Sequence, residues 1–233
     1  MSVHLHNLSC SKACSFFGSF GFLVQFILAF LSFSALIFKR YYEEPRRSVN
    51  IFKFDAAKNG LGATLAHFIN IFFAERLAGA TESDPCAWYF IQILTDTTIV
   101  VLLNFLLLRF LESYAAKEFN LDITSGDYGD PPSWRRWAIQ TSLWLSVVIV
   151  CKVLVMGLVL IFETPLGELG QLVLSPLCFN PHLELFIVVV LLPLLLNAFQ
   201  FWVVDNFLML DPARRADDDV TRLKPVASLY GSI

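Results

Sequence analysis

The sequence contains little charge for its length. Only 16% of its 233 residues are Asp, Glu, Lys or Arg, whereas soluble domains contain roughly 25%. The net charge is −3 and no basic stripe is present, which argues against a nucleic-acid partner. Because 56% of the residues are hydrophobic, a water-soluble domain of this size could not hide its apolar surface.

Motifs for catalysis and for metal binding are also missing. The sequence contains no P-loop, no HExxH motif and no nucleophile elbow. Its five cysteines have no regular spacing, so they predict neither a disulfide framework nor a zinc site. Nothing near His4, His6, Cys10 and Cys14 would hold four ligands in tetrahedral geometry. We therefore predict a protein that is not an enzyme and has no metal or cofactor.

Long apolar runs are what the chain does contain. The run Leu183–Leu210 is nearly unbroken hydrocarbon in its first half, around Pro193, and carries polar residues in its second half. At about 1.5 Å per residue, a helix of this length exceeds the roughly 30 Å hydrocarbon core of a bilayer. The run Phe16–Phe38 is longer than the hydrophobic part of a signal peptide. Both runs therefore predict transmembrane helices that remain in the protein.

These runs predict an all-α, polytopic membrane helix bundle. About five transmembrane helices are expected, at residues 16–38, 51–74, 88–108, 137–162 and 183–210. Residues 1–15 are predicted to be a polar tail, and residues 211–233 a disordered cytosolic tail. Residues 163–182 are expected to form a connecting loop between the fourth and fifth spans.

The distribution of Lys and Arg outside the runs predicts the orientation. The N-terminal tail has one, the successive loops have four, one, four and none, and the C-terminal tail has four. Since cytosolic segments carry the excess of Lys and Arg, the N-terminus is predicted to be lumenal and the C-terminus cytosolic. Cys86 and Cys178 then share the oxidising lumenal side, where a disulfide between them would join the third and fifth spans.

Several charged and polar side chains fall inside the apolar runs. A charge at the bilayer centre costs roughly 2.5–3.5 kcal/mol on insertion scales, so we expect pairing of Lys58 with Asp55 or a neighbour, and of Lys152 with Asp96 or Asp205. Two interpretations remain open. These residues either line an ion or proton path, or they form buried polar contacts that hold the helices together.

Four stretches of the sequence resemble one family. They are FKFDAAKNGLGATLAHFIN at 52–70, DPCAWYFIQILTDTT at 84–98, GDYGDPPSWRRWAIQ at 126–140 and NPHLELFIVVVLLPLLLNAFQFWVVDNFLM at 180–209. Together they resemble the STIMATE family of multi-pass endoplasmic-reticulum membrane proteins, named as STIM-activating enhancers. The resemblance covers about residues 18–210, which is nearly all of the predicted membrane part.

The resemblance implies a non-enzymatic regulator of store-operated calcium entry. Its partner would be the stromal interaction molecule, a calcium sensor, at junctions between the reticulum and the plasma membrane. Other members of the family are similar to vacuolar membrane proteins, so the vacuolar membrane is the alternative location. The family-like polar positions of this sequence are Asp55, Lys58, His67, Asn70, Asp96, Lys152, Asn197, Asp205 and Asn206.

One residue departs from the family pattern. Cys151 stands where well-known members carry an acidic residue, which leaves the partner of Lys152 open. The alternative function is a small transporter or channel that uses the intramembrane carboxylates.

Overall fold

The structure is a computed structural model that describes residues 19–81, 85–121, 123–177 and 179–209. Every regular element in these ranges is helical, which confirms the predicted all-α class. The predicted tails at 1–15 and 211–233 lie outside the described residues. The helices are α1 (Ser19–Tyr41), α2 (Val49–Thr81), α3 (Pro85–Thr95), α4 (Val101–Phe119), α5 (Trp134–Ile161), α6 (Glu163–Leu174), α7 (Pro181–Phe186) and α8 (Leu192–Leu208).

Two π-helical segments join pairs of these helices into longer ones. Asp96–Val100 lies between α3 and α4, and Ile187–Leu191 lies between α7 and α8. The second segment directly precedes Pro193, and the Leu192 N–H donates to the Ile187 carbonyl, five residues back. Proline removes one backbone donor and crowds the carbonyl four residues before it. A local wider turn is one way for a helix to continue through such a position.

Helix α6 replaces the loop that was expected at residues 163–182. Pro165 lies in its first turn, where the missing N–H has no intrahelical partner to lose. A Cβ atom at Gly170 would lie 3.2 Å from the Ala87 carbonyl oxygen, and one at Gly167 would lie 3.2 Å from Trp88. The two glycines thus let α6 pack closely on α3. The segment was expected to be a loop because it lies between the fourth and fifth predicted spans, but packing on a neighbouring helix stabilises the helical form.

The outer surface of the bundle is apolar. Phe26, Trp134, Ile161 and Phe179 are among many large hydrophobic side chains that are exposed, far more than a soluble monomer presents. Within the described residues, three helices are long and apolar enough to cross a membrane: Cys86–Phe119, Trp134–Ile161 and Ile187–Leu208. These observations fit the predicted membrane bundle. The number of five spans and their orientation remain predictions.

Helix α2 occupies the middle of the arrangement and brings the polar residues together. It packs against α3, α5 and α8, while α1 runs along α8. Its close approach to α5 depends on Gly62, because a Cβ atom there would lie 2.3 Å from the Trp144 Nε1 atom. Small residues commonly permit such approaches between membrane helices. As a result, polar side chains of α2 face groups on both α5 and α8.

Candidate functional site

A buried arginine is the centre of the first polar network. Arg47 lies in the connection between α1 and α2, and its side chain is fully buried. Its Nη1 atom donates to Asp55 Oδ2 at 2.9 Å, and its Nη2 atom donates to Asp205 Oδ2 at 2.8 Å. Its Nε atom donates to Glu43 Oε2 at 2.9 Å. One guanidinium therefore joins carboxylates from the α1–α2 connection, α2 and α8.

Three further side chains complete this network. Lys39 Nζ donates to Asp205 Oδ2 and to Asn206 Oδ1, both at 2.6 Å. The Tyr128 hydroxyl donates to Asp55 Oδ1 at 2.6 Å. We call this set the Arg47 network; its members are Lys39, Glu43, Arg47, Asp55, Tyr128, Asp205 and Asn206. It connects α1, α2, α8 and the loop that precedes α5.

Two members of the Arg47 network, Arg47 and Tyr128, keep their ordinary protonation states. Desolvation would lower the pKa of Arg47, but the hydrogen bond and charge of Asp205 outweigh it, so the net shift is upward. Burial raises the pKa of Tyr128, and the adjacent Asp55 carboxylate raises it further. Arg47 therefore stays cationic, and Tyr128 stays a neutral donor. Both act as fixed hydrogen-bond donors to buried carboxylates.

Lys58 is held next to this network by a different set of contacts. Its Nζ atom donates to Gln140 Oε1 at 3.2 Å and to the Leu208 carbonyl at 3.5 Å, and it lies 5.3 Å from the centre of the Tyr128 ring. The expected pairing with Asp55 is replaced, because Arg47 and Tyr128 bond both Asp55 oxygens. Lys58 therefore bonds a neighbouring amide instead of a carboxylate.

The Gln140 side chain also connects the bundle to the loop before α5. Its Nε2 atom donates to the carbonyls of Thr124 and Asp127, at 2.9 and 2.7 Å. Its Oε1 atom accepts from the Gly126 N–H at 3.2 Å as well as from Lys58. Because this loop also carries Tyr128, the Gln140 contacts position the donor that reaches Asp55. Within the family-like stretch at 126–140, Gln140 therefore holds the loop in the position from which Tyr128 bonds Asp55.

The second polar network lies deeper along α2 and α5. Lys152 Nζ donates to Asp96 Oδ1 and to Asn70 Oδ1, and Asn70 Nδ2 donates to Asp96 Oδ2. We call these three residues the Asp96 network. All three are buried, and they come from α5, α2 and the π-helical segment. That segment turns both Asp96 and Thr97 into the interior, as π-bulges at functional sites often do.

The Asp96 network borders a cavity of about 340 Å³. The cavity is lined by α1, α2, α3, α8 and the π-helical segment, and both Asn70 and Asp96 are in its wall. The predicted site residues His67 and Asn197 also line it, together with Gln200 and Ser32. The cavity therefore combines apolar walls with several polar groups, which is typical of small-molecule sites.

The structure brings the predicted polar residues into three places. Asp55, Asp205 and Asn206 belong to the Arg47 network, with Lys58 beside it. Asn70, Asp96 and Lys152 form the Asp96 network, and His67 and Asn197 line the cavity. The partner of Lys152 is thus Asp96 and not Asp205, whose oxygens bond Lys39 and Arg47. Cys151 is buried as a free thiol, and Lys152 has its carboxylate partner without an acidic residue at that position.

Sequence reasoning missed Lys39, Arg47, Tyr128 and Gln140 as members of the site. Lys39 and Arg47 were counted only as loop charges that set the orientation. The predicted topology itself contained a signal, because the end of the first span and the end of the fifth span lie on the same side of the membrane. Asp205 is near the end of the fifth span. Lys39 and Arg47 follow the end of the first span, so they are the cations expected at the same depth in the membrane as Asp205.

Cys86 is disulfide-bonded in the structure. Cys178, the partner predicted from topology, lies outside the described residues. The pairing remains a prediction that mass spectrometry of non-reduced peptides can check.

Comparison with known proteins places these features in a family. The chain is 27% identical to the vacuolar membrane protein YPL162C of Saccharomyces cerevisiae in an alignment of 217 residues that covers 84% of this chain and 80% of that protein. No solved structure matches the chain. Residues 86–210 match the sequence model of the STIMATE family. This match covers more than half of the chain and includes Asp96, Tyr128, Gln140, Lys152 and Asp205. The chain is a membrane protein that belongs to the STIMATE family.

Proposed function

We propose that this protein is a non-enzymatic, multi-pass regulator or scaffold that acts on another membrane protein. The observation that carries the proposal is the pairing of its buried carboxylates. Asp55 and Asp205 both bond Arg47, and Asp96 bonds Lys152. In each pair the carboxylate and the cation come from different segments of the chain. Pairing of this kind holds a helix bundle in one arrangement, which suits a protein whose outer surface does the recognition.

The specific role that we propose is regulation of store-operated calcium entry through the stromal interaction molecule. Membership of the STIMATE family supports this role. The endoplasmic-reticulum membrane is the proposed location. The vacuolar membrane is the alternative, supported by the name of the yeast relative.

The second candidate is a small transporter or channel, and one observation favours it. Asp96 belongs to a buried ion pair and also lines the cavity, so this carboxylate faces a space that a solute or water could enter. Asp205, in contrast, does not line that cavity. Asp96 and Asp205 are thus both buried and ion-paired, but of the two only Asp96 lines the cavity. Asp205 can therefore serve as a control for Asp96.

The two functions predict different effects of Asp96→Asn. If Asp96 only holds the bundle together, the amide keeps hydrogen bonds to Asn70 and Lys152. We then expect normal abundance and normal calcium entry after store depletion. If Asp96 carries an ion or proton, Asp96→Asn abolishes function at normal abundance, since an amide neither holds charge nor titrates.

Reconstitution of the purified full chain in liposomes completes this test. We expect no ion or proton flux above that of protein-free liposomes, and proximity labelling in cells that recovers a calcium-sensor membrane protein. Asp205→Asn is the matched control in both assays. A robust flux that Asp96→Asn removes and Asp205→Asn leaves intact would establish the transporter function instead.

A further inference from the structure

The cavity beside the Asp96 network opens towards the outer surface of the bundle. Phe26 of α1 and Phe68 of α2 are part of its wall, and they are 72% and 64% exposed. Ala29 and Thr64, also in the wall, are exposed as well. In a membrane this surface faces lipid chains. A molecule dissolved in the bilayer can therefore reach the cavity between α1 and α2 without passing through water.

One residue of the cavity wall, Ser32, carries a hydroxyl group that has no hydrogen-bond partner within the described residues. The Ser32 Oγ atom is buried, with its residue 1% exposed. Asn197 and Gln200 also line the cavity. A buried hydroxyl without a partner is destabilising, so native structures seldom keep one unless another group satisfies it.

The charges at this wall are already matched. Both Asp96 oxygens are bonded, one to Lys152 and the other to Asn70. A charged ligand would therefore lie beside a closed ion pair and lose its hydration without gaining a counter-ion. Within the described residues, the wall groups without a hydrogen-bond partner are the Ser32 hydroxyl, the Asn197 and Gln200 amides and the His67 imidazole. Such hydrogen-bonding groups suit an uncharged partner with hydroxyl or carbonyl oxygens.

We propose that this cavity binds the head group of an uncharged lipid. The hydroxyl or carbonyl groups of the head bond Ser32, Asn197 and Gln200, and the hydrocarbon chains leave between Phe26 and Phe68. The volume of about 340 Å³ lies at the small end of ligand pockets. It accommodates a head group such as glycerol with its ester carbonyls, while the chains remain in the bilayer. This site is independent of the partner binding proposed above.

Photo-crosslinking of the purified full chain in lipid nanodiscs tests the proposal. The probe is a diacylglycerol with an alkyne tag and a diazirine near the carboxyl end of one chain. A phosphatidic acid with the same chains is the charged comparison. We expect the diacylglycerol to label peptides of α1, α2 and α8 that line the cavity, at least fivefold more than phosphatidic acid does. Excess unlabelled diacylglycerol should remove this labelling.

Two matched pairs of variants locate the contact. Ser32→Ala removes the unpartnered hydroxyl, and we expect roughly three- to tenfold weaker competition by unlabelled diacylglycerol. Ser34→Ala is its control, because Ser34 Oγ bonds the Phe30 carbonyl and does not line the cavity. Ala29→Phe should fill the opening and reduce labelling at least fivefold. Ala138→Phe places the same side chain at an exposed position of α5 away from the cavity.

Several outcomes would overturn the proposal. Stronger labelling by phosphatidic acid would indicate a charged head group. Labelling spread evenly over all apolar helices, or unchanged in Ala29→Phe, would indicate ordinary contact with bulk lipid and a cavity that holds only water. The melting temperature of every variant is measured in the same nanodiscs. If Ala29→Phe does not fold, the comparison of Ser32→Ala with Ser34→Ala decides alone.

Discussion

Arg47 lies at the end of the bundle where several carboxylates would otherwise repel one another. Its planar guanidinium donates in three directions, to Glu43, Asp55 and Asp205. A lysine ammonium is compact and lies at the end of a flexible chain, so it cannot reach all three carboxylates in the same geometry. Lys39 supplies a second cation to Asp205 but makes no ion pair with Asp55 within the described residues. Asp55 therefore depends on Arg47 for its ion pair.

We predict that Arg47→Met lowers stability by about 3–5 kcal/mol, because it leaves buried carboxylates without their main cation. Arg47→Lys should have an intermediate effect. Unfolding of the purified chain in mild detergent with increasing SDS, followed by tryptophan fluorescence, measures the change. Arg46→Met is the matched control, since Arg46 is exposed and should change stability by less than about 0.5 kcal/mol. Equal losses for the two methionine variants would refute the role given to Arg47.

At the scale of helices, close packing depends on where side chains are absent. Helix α2 has Gly60 and Gly62 only two residues apart, yet they differ in surroundings. Trp144 of α5 lies directly on Gly62, whereas no atom lies within 4 Å of a Cβ atom built on Gly60. The contact at Gly62 brings α5 near enough for Gln140 to bond Lys58 and for Lys152 to bond Asn70. A glycine on α2 therefore affects the geometry of the Asp96 network and of the Lys58–Gln140 contact beside the Arg47 network.

We predict that Gly62→Ala destabilises the chain by about 1–3 kcal/mol, because the added methyl group forces Trp144 or α5 to move. Gly60→Ala should be neutral or stabilising by up to about 1 kcal/mol, since alanine favours the helix and meets no neighbour. The same detergent unfolding experiment compares the two variants. A neutral Gly62→Ala would show that α5 can shift without cost and would contradict this account.

For the whole molecule, the Arg47 network shows which segments lie at the same end of the bundle. It joins the segment after α1, the loop before α5 and the end of α8. The predicted orientation assigns all three to the cytosolic side. The loop between α2 and α3 follows the other end of α2. The sequence around this loop carries few basic residues. The contacts in the structure and the loop charges thus agree on which segments share a side.

We predict that an inserted glycosylation acceptor is modified between α2 and α3, at residues 82–84, and is not modified in the loop at 120–133. The acceptor is carried in a flexible insert long enough to reach the lumenal enzyme, and a mobility shift that a glycosidase reverses is the measurement. An acceptor in the C-terminal tail is the cytosolic control and should stay unmodified. Modification of the 120–133 insert alone would reverse the orientation.

How much of this site could be predicted from the sequence differs from residue to residue. The pair of Lys152 with Asp96 was one of two expected alternatives, because the cost of an isolated charge in lipid requires a partner. The choice between Asp96 and Asp205 could not be made, since it depends on which helices are neighbours. Lys39 and Arg47 were outside the predicted spans. In the structure Lys39 lies in the last turn of α1, alongside α8, and Arg47 reaches the interior because the α1–α2 connection passes over the end of the bundle.

The sequence by itself determined the helical class, the apolar exterior and the family, because these depend on runs of residue types and on local motifs. Local signals also indicated the long apolar spans and the proline, Pro193, within the last of them. Only the tertiary structure decided which charges meet, that residues 163–174 form a helix on α3, and that a cavity lies beside Asp96. Those features depend on distances between segments far apart in the chain, and a hydrogen bond or ion pair weakens within an ångström or two of its best separation. Residue spacing along the chain does not specify such distances.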